Sequence, residues 1–279
     1  MSKILILGYL GGLGQAFMEV YEDEKPIGLD REDFDIANES QVLEIIQKHQ
    51  PSLVINCTGY TAVDKAEVER EFAESINGSG PGFVAAACKE VGATLVHFST
   101  GMVFDGNNSE GYNEDALTNP INTYGRTKLL GEIEVQKRMD NFYIIRSAWL
   151  FGKTKTGKKS FIDIMLEKAQ TGEVIKAVTD EVGCPTYDFD LAQATRALIE
   201  VKKPFGLYHI TNSGRANRFD WAEEIFRIKE IEADVVGVPA SDFPKRAALR
   251  PKFEVLNNTK FILLRPWQEA LEEFLGSNY

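Results

Sequence analysis

Near its start the chain reads Ile4-Leu5-Ile6-Leu7-Gly8-Tyr9-Leu10-Gly11-Gly12-Leu13-Gly14. The four apolar residues predict a buried β-strand, and the residues after the glycines predict a helix. Glycines three residues apart let the backbone turn tightly and bring its N–H groups to a pyrophosphate at a helix N-terminus. The stretch therefore predicts a dinucleotide-binding turn, although a purely structural turn is the alternative. The predicted cofactor-binding residues here are Gly8, Leu10, Gly11, Gly12, Leu13 and Gly14.

An acidic residue follows at the distance that such a turn requires. Asp30 ends the second predicted strand, 22 residues after Gly8. A carboxylate there bonds the adenosine 2′-hydroxyl and repels a 2′-phosphate, which slightly favours NADH. Arg31 could pair with that phosphate instead and allow NADPH. Asp35 and Ile36 come next, where they could meet the adenine ring; for Asp35 a loop acid or helix cap is the alternative.

Apolar strands alternate with amphipathic helices through the first half of the chain. Strands are predicted at 3–7, 26–29, 53–56, 95–99 and 143–146, and helices at 15–21, 40–49, 69–91 and 122–137. Asn38, three residues before Gln41, resembles a cap for the helix at 40–49. Further on, helices are predicted at 161–170, 189–201, 218–228 and 266–275, and a strand at 207–210. Strands that are apolar throughout are typical of a parallel sheet covered on both faces. We predict an α/β fold with a doubly wound, Rossmann-type sheet over residues 1–152. A smaller mixed subdomain over 153–279 would mainly bind substrate, with individual segments able to return to the first domain.

Composition excludes several classes of protein. The 279 residues are 43% hydrophobic and 26% charged, as in ordinary globular proteins. The net charge of −11 opposes general nucleic-acid binding. No apolar run approaches the ~20 residues of a membrane span, and no signal-peptide pattern is present, so a cytoplasmic protein is expected. Three scattered cysteines and three scattered histidines predict neither a disulfide framework nor a metal site.

A tyrosine and a lysine stand one helical turn apart, at Tyr124 and Lys128. Residues four apart share a helix face, so both side chains point the same way. The ordinary tyrosine pKa of ~10 is too high for easy proton exchange at neutral pH, and a neighbouring ammonium lowers it. A chance surface pair is the alternative. Ser99 and Thr100 end the fourth predicted strand, where one hydroxyl can hold a substrate oxygen; strand-end capping is the alternative.

With these features the sequence resembles the extended short-chain dehydrogenases/reductases, and among them the dTDP-4-dehydrorhamnose reductase family. The resemblance covers nearly the whole chain. It rests on the stretches 8–14, 56–67 (NCTGYTAVDKAE), 99–100 with 103–106, 120–128 (PINTYGRTK), 131–132, 146–149 (RSAW), 183–186 (GCPT), 206–209 (GLYH) and 250–251.

This resemblance implies reduction of the C4 ketone of a nucleotide-activated 6-deoxy-4-keto sugar, for polysaccharide biosynthesis. Tyr124 would donate the proton, Lys128 would be its electrostatic partner and a ribose ligand, and Thr100 would position the carbonyl. The resemblance further implies Thr58, Gly59, Tyr60 and Asn77 on the cofactor side and Trp149 on the substrate side. We also expect Ser99 on the cofactor side, Gly101 and Met102 on the substrate side, and Arg250 at the diphosphate or the sugar. For Trp149 a core role is the alternative, and for Asn77 a helix-packing role. The family sometimes holds magnesium through surface acids, but no such ligand set can be assigned here.

One departure from the family concerns the sugar side. The family usually reads Ser-Thr-Asp-Tyr after the fourth strand, whereas this chain reads Ser99-Thr100-Gly101-Met102. Two groups that could hydrogen-bond sugar hydroxyls are therefore replaced. One hypothesis is a less hydroxylated or differently configured 4-keto sugar. Another is a bulkier ligand that fills the space opened at Gly101.

Other charged segments have more than one interpretation. The acidic residues Asp64, Glu67 and Glu69 are expected to form a solvated face. The basic segment 153–159 could neutralise the diphosphate of the substrate, or it could be an exposed loop.

The competing functions are a sugar-nucleotide epimerase or dehydratase of the same superfamily, and a non-catalytic nucleotide-binding regulatory subunit. The altered Gly101-Met102 segment leaves the regulatory subunit open as an alternative, whereas the intact Tyr124 and Lys128 pair argues against it. The expected assembly is a monomer or a homodimer.

Overall fold

The computed structural model describes residues 3–278, so Met1, Ser2 and Tyr279 lie outside the described residues. The strands are β1 Ile4–Leu7, β2 Ile27–Leu29, β3 Leu53–Asn56, β4 Thr94–Thr100, β5 Phe142–Ser147, β6 Leu150–Phe151, β7 Ile175–Val178, β8 Val182–Gly183, β9 Thr186–Tyr187, β10 Gly206–His209, β11 Ala216–Asn217, β12 Val235–Val238 and β13 Phe253–Glu254. The helices are α1 Gly12–Val20, α2 Glu39–His49, α3 Arg70–Glu74, α4 Gly80–Val91, α5 Thr123–Arg138, α6 Phe161–Ala169, α7 Asp188–Glu200, α8 Arg218–Lys229 and α9 Trp267–Asn278.

Six strands form one large parallel sheet in the order β2-β1-β3-β4-β5-β10. The central strands β1 and β3 are buried along their whole length because helices cover both faces of the sheet. The predicted doubly wound α/β fold is therefore confirmed. The direction of winding reverses between β1 and β3. Open α/β sheets bind ligands at such a switch point, beyond the carboxyl ends of the strands.

Two layers of helices complete the core. On one face, Phe17 of α1 and Leu191 of α7 are buried in the same cluster as Ile6 of β1. On the other face, helices α2, α4 and α5 cover Leu5 of β1, and Val84 of α4 belongs to that cluster. Each such side chain stabilises the fold by roughly 1.5–3 kcal/mol when fully buried. Within residues 3–278, no helix combines the length and the apolar character needed to span a membrane.

The second half of the chain builds three small sheets: β8 between β11 and β13, β7 beside β12, and β6 beside β9. Helices α6, α8 and α9 surround a separate core that contains Ile162, Trp221 and Phe274. Strand β10 instead pairs with β5 at the edge of the large sheet. The chain thus returns to the first sheet after residue 152, while the division into a cofactor part and a substrate part stays a prediction.

The predicted helix at 69–91 is interrupted. Residues Ser75–Ser79 form a π-helical turn between α3 and α4. Gly78 and Gly80 lie at this point, and Pro81 has no N–H to donate to the preceding turn, so the regular hydrogen-bond ladder is weakened there. At α2 the predicted cap is confirmed, because the Asn38 side chain accepts a hydrogen bond from the Gln41 N–H at 3.2 Å.

Candidate active site

The first glycine turn has a backbone that other residues rarely adopt. Gly8 has a φ of +79°, and a Cβ there would lie 3.0 Å from the backbone of Cys57 and Thr58. A Cβ on Gly14 would lie 2.3 Å from the Gly8 carbonyl oxygen, so the third glycine lets α1 pack onto the turn. A Cβ on Gly11 would make only an ordinary van der Waals contact, 3.5 Å from the Gly8 carbonyl oxygen.

No side chain caps the N-terminus of α1, which begins directly after Gly11. Its first N–H groups and the helix dipole are therefore available to an anion. A tight first glycine, an open second and a closely packed third are the features that a pyrophosphate site needs. The described residues thus fit a dinucleotide cofactor at this turn.

Asp30 lies at the carboxyl end of β2, beside the glycine turn. Its carboxylate accepts hydrogen bonds from the N–H groups of Leu10, at 3.1 Å, and Arg31, at 2.9 Å. The carboxylate is therefore fixed in position before any ribose arrives. Arg31 is exposed. Asp35 is also exposed and accepts from the Ala37 N–H at 2.9 Å, whereas Ile36 is buried in the core.

The turn after β3 is held by Asn77, which lies in the π-helical turn. The Asn77 amide accepts from the Tyr60 N–H at 2.8 Å and donates to the Tyr60 carbonyl at 3.0 Å. It also donates to the Thr127 hydroxyl of α5 at 3.2 Å. Thr58 is tied to Asn56 by its hydroxyl at 2.6 Å. Asn77 thus fixes the turn that contains Thr58, Gly59 and Tyr60 relative to α5, and a contact with cofactor stays a prediction for these residues.

Ser99 and Thr100 are adjacent, but their hydroxyl groups form hydrogen bonds to different side chains. The Ser99 hydroxyl donates to Glu132 at 2.5 Å. Glu132 also accepts from two guanidinium nitrogens of Arg146, at 2.8 and 2.6 Å. This ion pair is buried beneath the end of β4, with Glu132 only 1% exposed. Ser99 is therefore engaged by a charged core network, while Thr100 faces the other way.

Tyr124 and Lys128 lie on the same face of α5, as the spacing predicted. The Lys128 ammonium donates to the Phe98 carbonyl at 2.5 Å, and burial lowers the pKa of Lys128 to about 8. The prediction that a neighbouring ammonium lowers the pKa of Tyr124 is wrong for this arrangement. Burial raises the pKa of Tyr124 above its ordinary value, the negative charge of Glu254 raises it further, and only the Thr100 hydroxyl opposes this. Tyr124 thus keeps its proton at neutral pH.

A residue that the sequence reasoning missed stands beside this group. Glu254 of β13 accepts from the Thr100 hydroxyl at 3.2 Å and from the Trp149 indole N–H at 3.1 Å. A Cβ on Gly101 would lie 2.6 Å from Cγ of Glu254. The space at Gly101 is therefore filled by Glu254, and the hypothesis of a bulkier ligand in that space is wrong. Met102 donates its N–H to the Thr100 hydroxyl at 3.2 Å.

Trp149 has a backbone that is unusual for a large residue, with a φ of +46°. Its ring packs on Gly183, where a Cβ would lie 2.4 Å from the indole. The guanidinium of Arg218 lies 3.7 Å from the ring centre, and the Trp221 ring stacks at 5.9 Å. Trp149 thus packs against Gly183, Arg218 and Trp221, and its indole N–H points to Glu254 at the candidate site.

The acidic cluster is more than the expected solvated face. Asp64 accepts from the Arg250 guanidinium at 2.6 Å and from the Ala248 N–H at 3.0 Å. Glu67 accepts from the N–H and hydroxyl of Thr123 at the start of α5, at 2.7 and 2.8 Å. The expectation is therefore wrong for Asp64 and Glu67, because each holds a segment of the site in place. Arg250 is paired here with Asp64.

The basic segment 153–159 lies beside the glycine turn. The Lys155 N–H donates to the Leu10 carbonyl at 3.0 Å, and the Thr154 hydroxyl donates to the same oxygen at 3.3 Å. Asp188 lies on the other side, where a Cβ on Gly12 would be 2.4 Å from its carboxyl oxygen. Burial raises the pKa of Asp188 to about 7. Hydrogen bonds to Leu10 thus hold this segment against the glycine turn, and neutralisation of a diphosphate by its lysines stays a prediction.

Comparison with known proteins agrees with this geometry. The family model described as the RmlD substrate binding domain matches residues 2–279. A spore coat polysaccharide biosynthesis protein of Bacillus subtilis, SpsK, is 32% identical, over 99% of this chain and 97% of that protein. The crystal structure of a dTDP-4-dehydrorhamnose reductase from Clostridium acetobutylicum is 38% identical, with a TM-score of 0.94 and 99% of each chain covered. A dTDP-4-dehydrorhamnose reductase from Bacillus anthracis in complex with NADP is 35% identical, with a TM-score of 0.94 over the whole of both chains.

Proposed function

The chain belongs to the RmlD substrate binding domain family, and we propose that it reduces the C4 ketone of a nucleotide-activated 6-deoxy-4-keto sugar with NAD(P)H. The substrate proposed is dTDP-4-dehydrorhamnose or a close analogue, and the product is dTDP-rhamnose or its counterpart. The observation that carries the proposal is the placement of Tyr124 beside Thr100 at the carboxyl end of β4, on the same edge of the parallel sheet at which the glycine turn follows β1. The names of the relatives support the same substrate class.

The proposed reaction adds one hydride and one proton to the carbonyl group. The reduced nicotinamide, when bound, supplies the hydride that forms the new bond at sugar C4. Tyr124 donates the proton to the carbonyl oxygen, for which it must be protonated in the free enzyme, and its raised pKa meets this requirement. Thr100 positions the carbonyl oxygen. Lys128, buried one turn along α5, binds the nicotinamide ribose.

We also propose a preference for NADH over NADPH. The Asp30 carboxylate is held by two backbone N–H groups next to the glycine turn, so it cannot easily move away from a 2′-phosphate.

The sugar is proposed to lie near Trp149, between the carboxyl ends of the strands of the large sheet and the small sheet of β8, β11 and β13. We place the reaction in the cytoplasm, where reduced nicotinamide cofactors are made.

The test is a screen of nucleotide 4-keto sugars with both reduced cofactors, followed by the stereochemistry of the product. A reductase consumes one nicotinamide cofactor per sugar, which the absorbance of the reduced ring reports directly. An epimerase or dehydratase returns the hydride to the substrate and leaves that absorbance unchanged. Conversion of a sugar without loss of absorbance would therefore overturn the proposal. No turnover with any keto sugar, together with purification on a partner enzyme, would favour a regulatory subunit.

A further inference from the structure

Glu254 is a carboxyl group placed where the catalytic residues meet, although it comes from a different part of the chain. It is 4% exposed and reaches Thr100 from a position 154 residues later in the sequence. One carboxyl oxygen accepts from Thr100 and the other from Trp149. Strand β13 fixes this position by pairing Glu254 with Gly183 of β8. The side chain is thus held at both oxygens and at its backbone.

The hydrogen bonds of Thr100 decide what its hydroxyl can do. A hydroxyl has one hydrogen to donate and two lone pairs that accept. In this structure the hydrogen is directed to Glu254 and one lone pair accepts from the Met102 N–H. A Thr100 in that state has no hydrogen left for a ketone oxygen. If Glu254 carries a proton, it can donate to the second lone pair, and the hydroxyl hydrogen of Thr100 can turn from Glu254 to the side of Tyr124, with which Thr100 also interacts.

We propose that Glu254 is a positioning residue for the reduction, and that its carboxyl group must be protonated for Thr100 to donate to the ketone oxygen. This inference rests on the proposed function of the site. The proton on Glu254 is not consumed, because it only reverses the direction of the hydrogen bond to Thr100. Tyr124 remains the group that gives its proton to the product.

The surroundings of Glu254 allow it to change its protonation state near neutral pH. Burial raises its pKa to about 7, while its two hydrogen bonds and the positive charges of Arg218 and Arg250 oppose this. Tyr124 faces it from α5 and Cys184 from the loop after β8, and burial raises the pKa of both, so both stay neutral. The guanidinium group of Arg218 stays positive, since burial lowers its pKa only to about 10. Between pH 6 and 8 Glu254 therefore changes its charge while Tyr124, Cys184 and Arg218 keep their protonation states.

The main test is the pH dependence of kcat/KM in the wild-type enzyme and in Glu254→Gln. In the wild type, activity should fall as the pH rises through about 7, since the active form is the protonated one. The glutamine amide can donate to Thr100 permanently and still accept from Trp149, so this fall should vanish. At pH 8, one unit above the Glu254 pKa of about 7, only about a tenth of the wild-type enzyme is protonated at Glu254, so the variant should be about tenfold more active. A second fall near the pKa of Lys128, about 8, should remain in both.

Two further variants separate this role from a structural one. In a Thr100→Val background, Glu254→Gln should no longer change the pH profile, because the effect passes through the Thr100 hydroxyl. Asp188 also has a pKa of about 7, so Asp188→Asn tests whether it causes the fall instead. A fall near pH 7 that persists in Glu254→Gln, or that disappears only in Asp188→Asn, would overturn the proposal.

A measurement without substrate covers the case in which no sugar is turned over. Infrared difference spectra of wild type minus Glu254→Gln should show a protonated carboxyl band at pH 6 that is lost by pH 8. Absence of that band at pH 6 contradicts the inference about Glu254 whatever the substrate. Turnover with a pH profile that is flat near 7 contradicts it too, and leaves the proposed reductase function standing. No turnover together with a titrating band contradicts the proposed function alone.

Discussion

Removing one charge of the buried ion pair beneath the active site should destabilise the protein strongly, and Glu132→Gln tests this. The variant keeps the shape of the side chain but leaves the Arg146 charge, only 4% exposed, without its counterion. Nη1 of Arg146 already has no hydrogen-bond partner among the described residues. Breaking a buried pair by removing one charge costs about 3–5 kcal/mol. In a protein of this size that corresponds to a loss of about 6–10 °C in Tm.

The same helix provides a matched control. Glu134, two residues further along α5, is also paired with cations, namely Lys137 and Arg138, but these partners are 63% and 33% exposed. Glu134→Gln should therefore cost at most about 1 kcal/mol. Scanning calorimetry and urea unfolding measure both variants, and a double variant Glu132→Met with Arg146→Met should be less destabilised than Glu132→Gln. Equal losses for Glu132→Gln and Glu134→Gln would refute the reasoning.

Three further predictions concern the site. Tyr124→Phe should lower kcat about 10²–10⁴-fold, because the proton donor is lost, while the dissociation constant of NADH from fluorescence titration stays nearly unchanged; ordinary turnover would refute the role of Tyr124. Asp30→Ala should weaken NADH relative to NADPH, and an unchanged ratio of the two kcat/KM values would contradict the ribose assignment. Gly14→Ala should abolish NADH binding in the same titration, because its Cβ would meet backbone at 2.3 Å, whereas Gly276→Ala, with nothing within 4 Å, should bind normally.

The features that the sequence predicted correctly are those set by neighbours along the chain. The turn at Gly8 follows from glycine spacing after an apolar strand, and the cap at Asn38 from a side chain three residues before its partner. The shared face of Tyr124 and Lys128 follows from helical periodicity. In each case the chemistry and the geometry lie within one short segment, so the pattern is visible without the fold.

The features that were missed depend on contacts between distant segments. Glu254 reaches Thr100 only because the two-residue strand β13 pairs with β8. A strand of two residues is too short to show an alternating pattern in the sequence. The pKa of Tyr124 is set by burial and by that same carboxyl group, so helical spacing alone predicted the wrong direction. One signal was present: a glycine in place of an acid at position 101 leaves room for a side chain from elsewhere, and Glu254 occupies it.

Strand β10 pairs with β5 in the sheet but follows it at a long distance in the chain, and this affects the protein while it is being synthesised. Strand β5 has β4 on one side, and its other side stays uncovered until residues 206–209 leave the ribosome. An unpaired edge presents a row of backbone N–H and C=O groups that can pair with another chain. A nascent polypeptide halted near residue 152 would therefore expose the edge of an unfinished sheet. Such a truncated product should aggregate or recruit chaperones, even though it already contains every strand that surrounds the glycine turn.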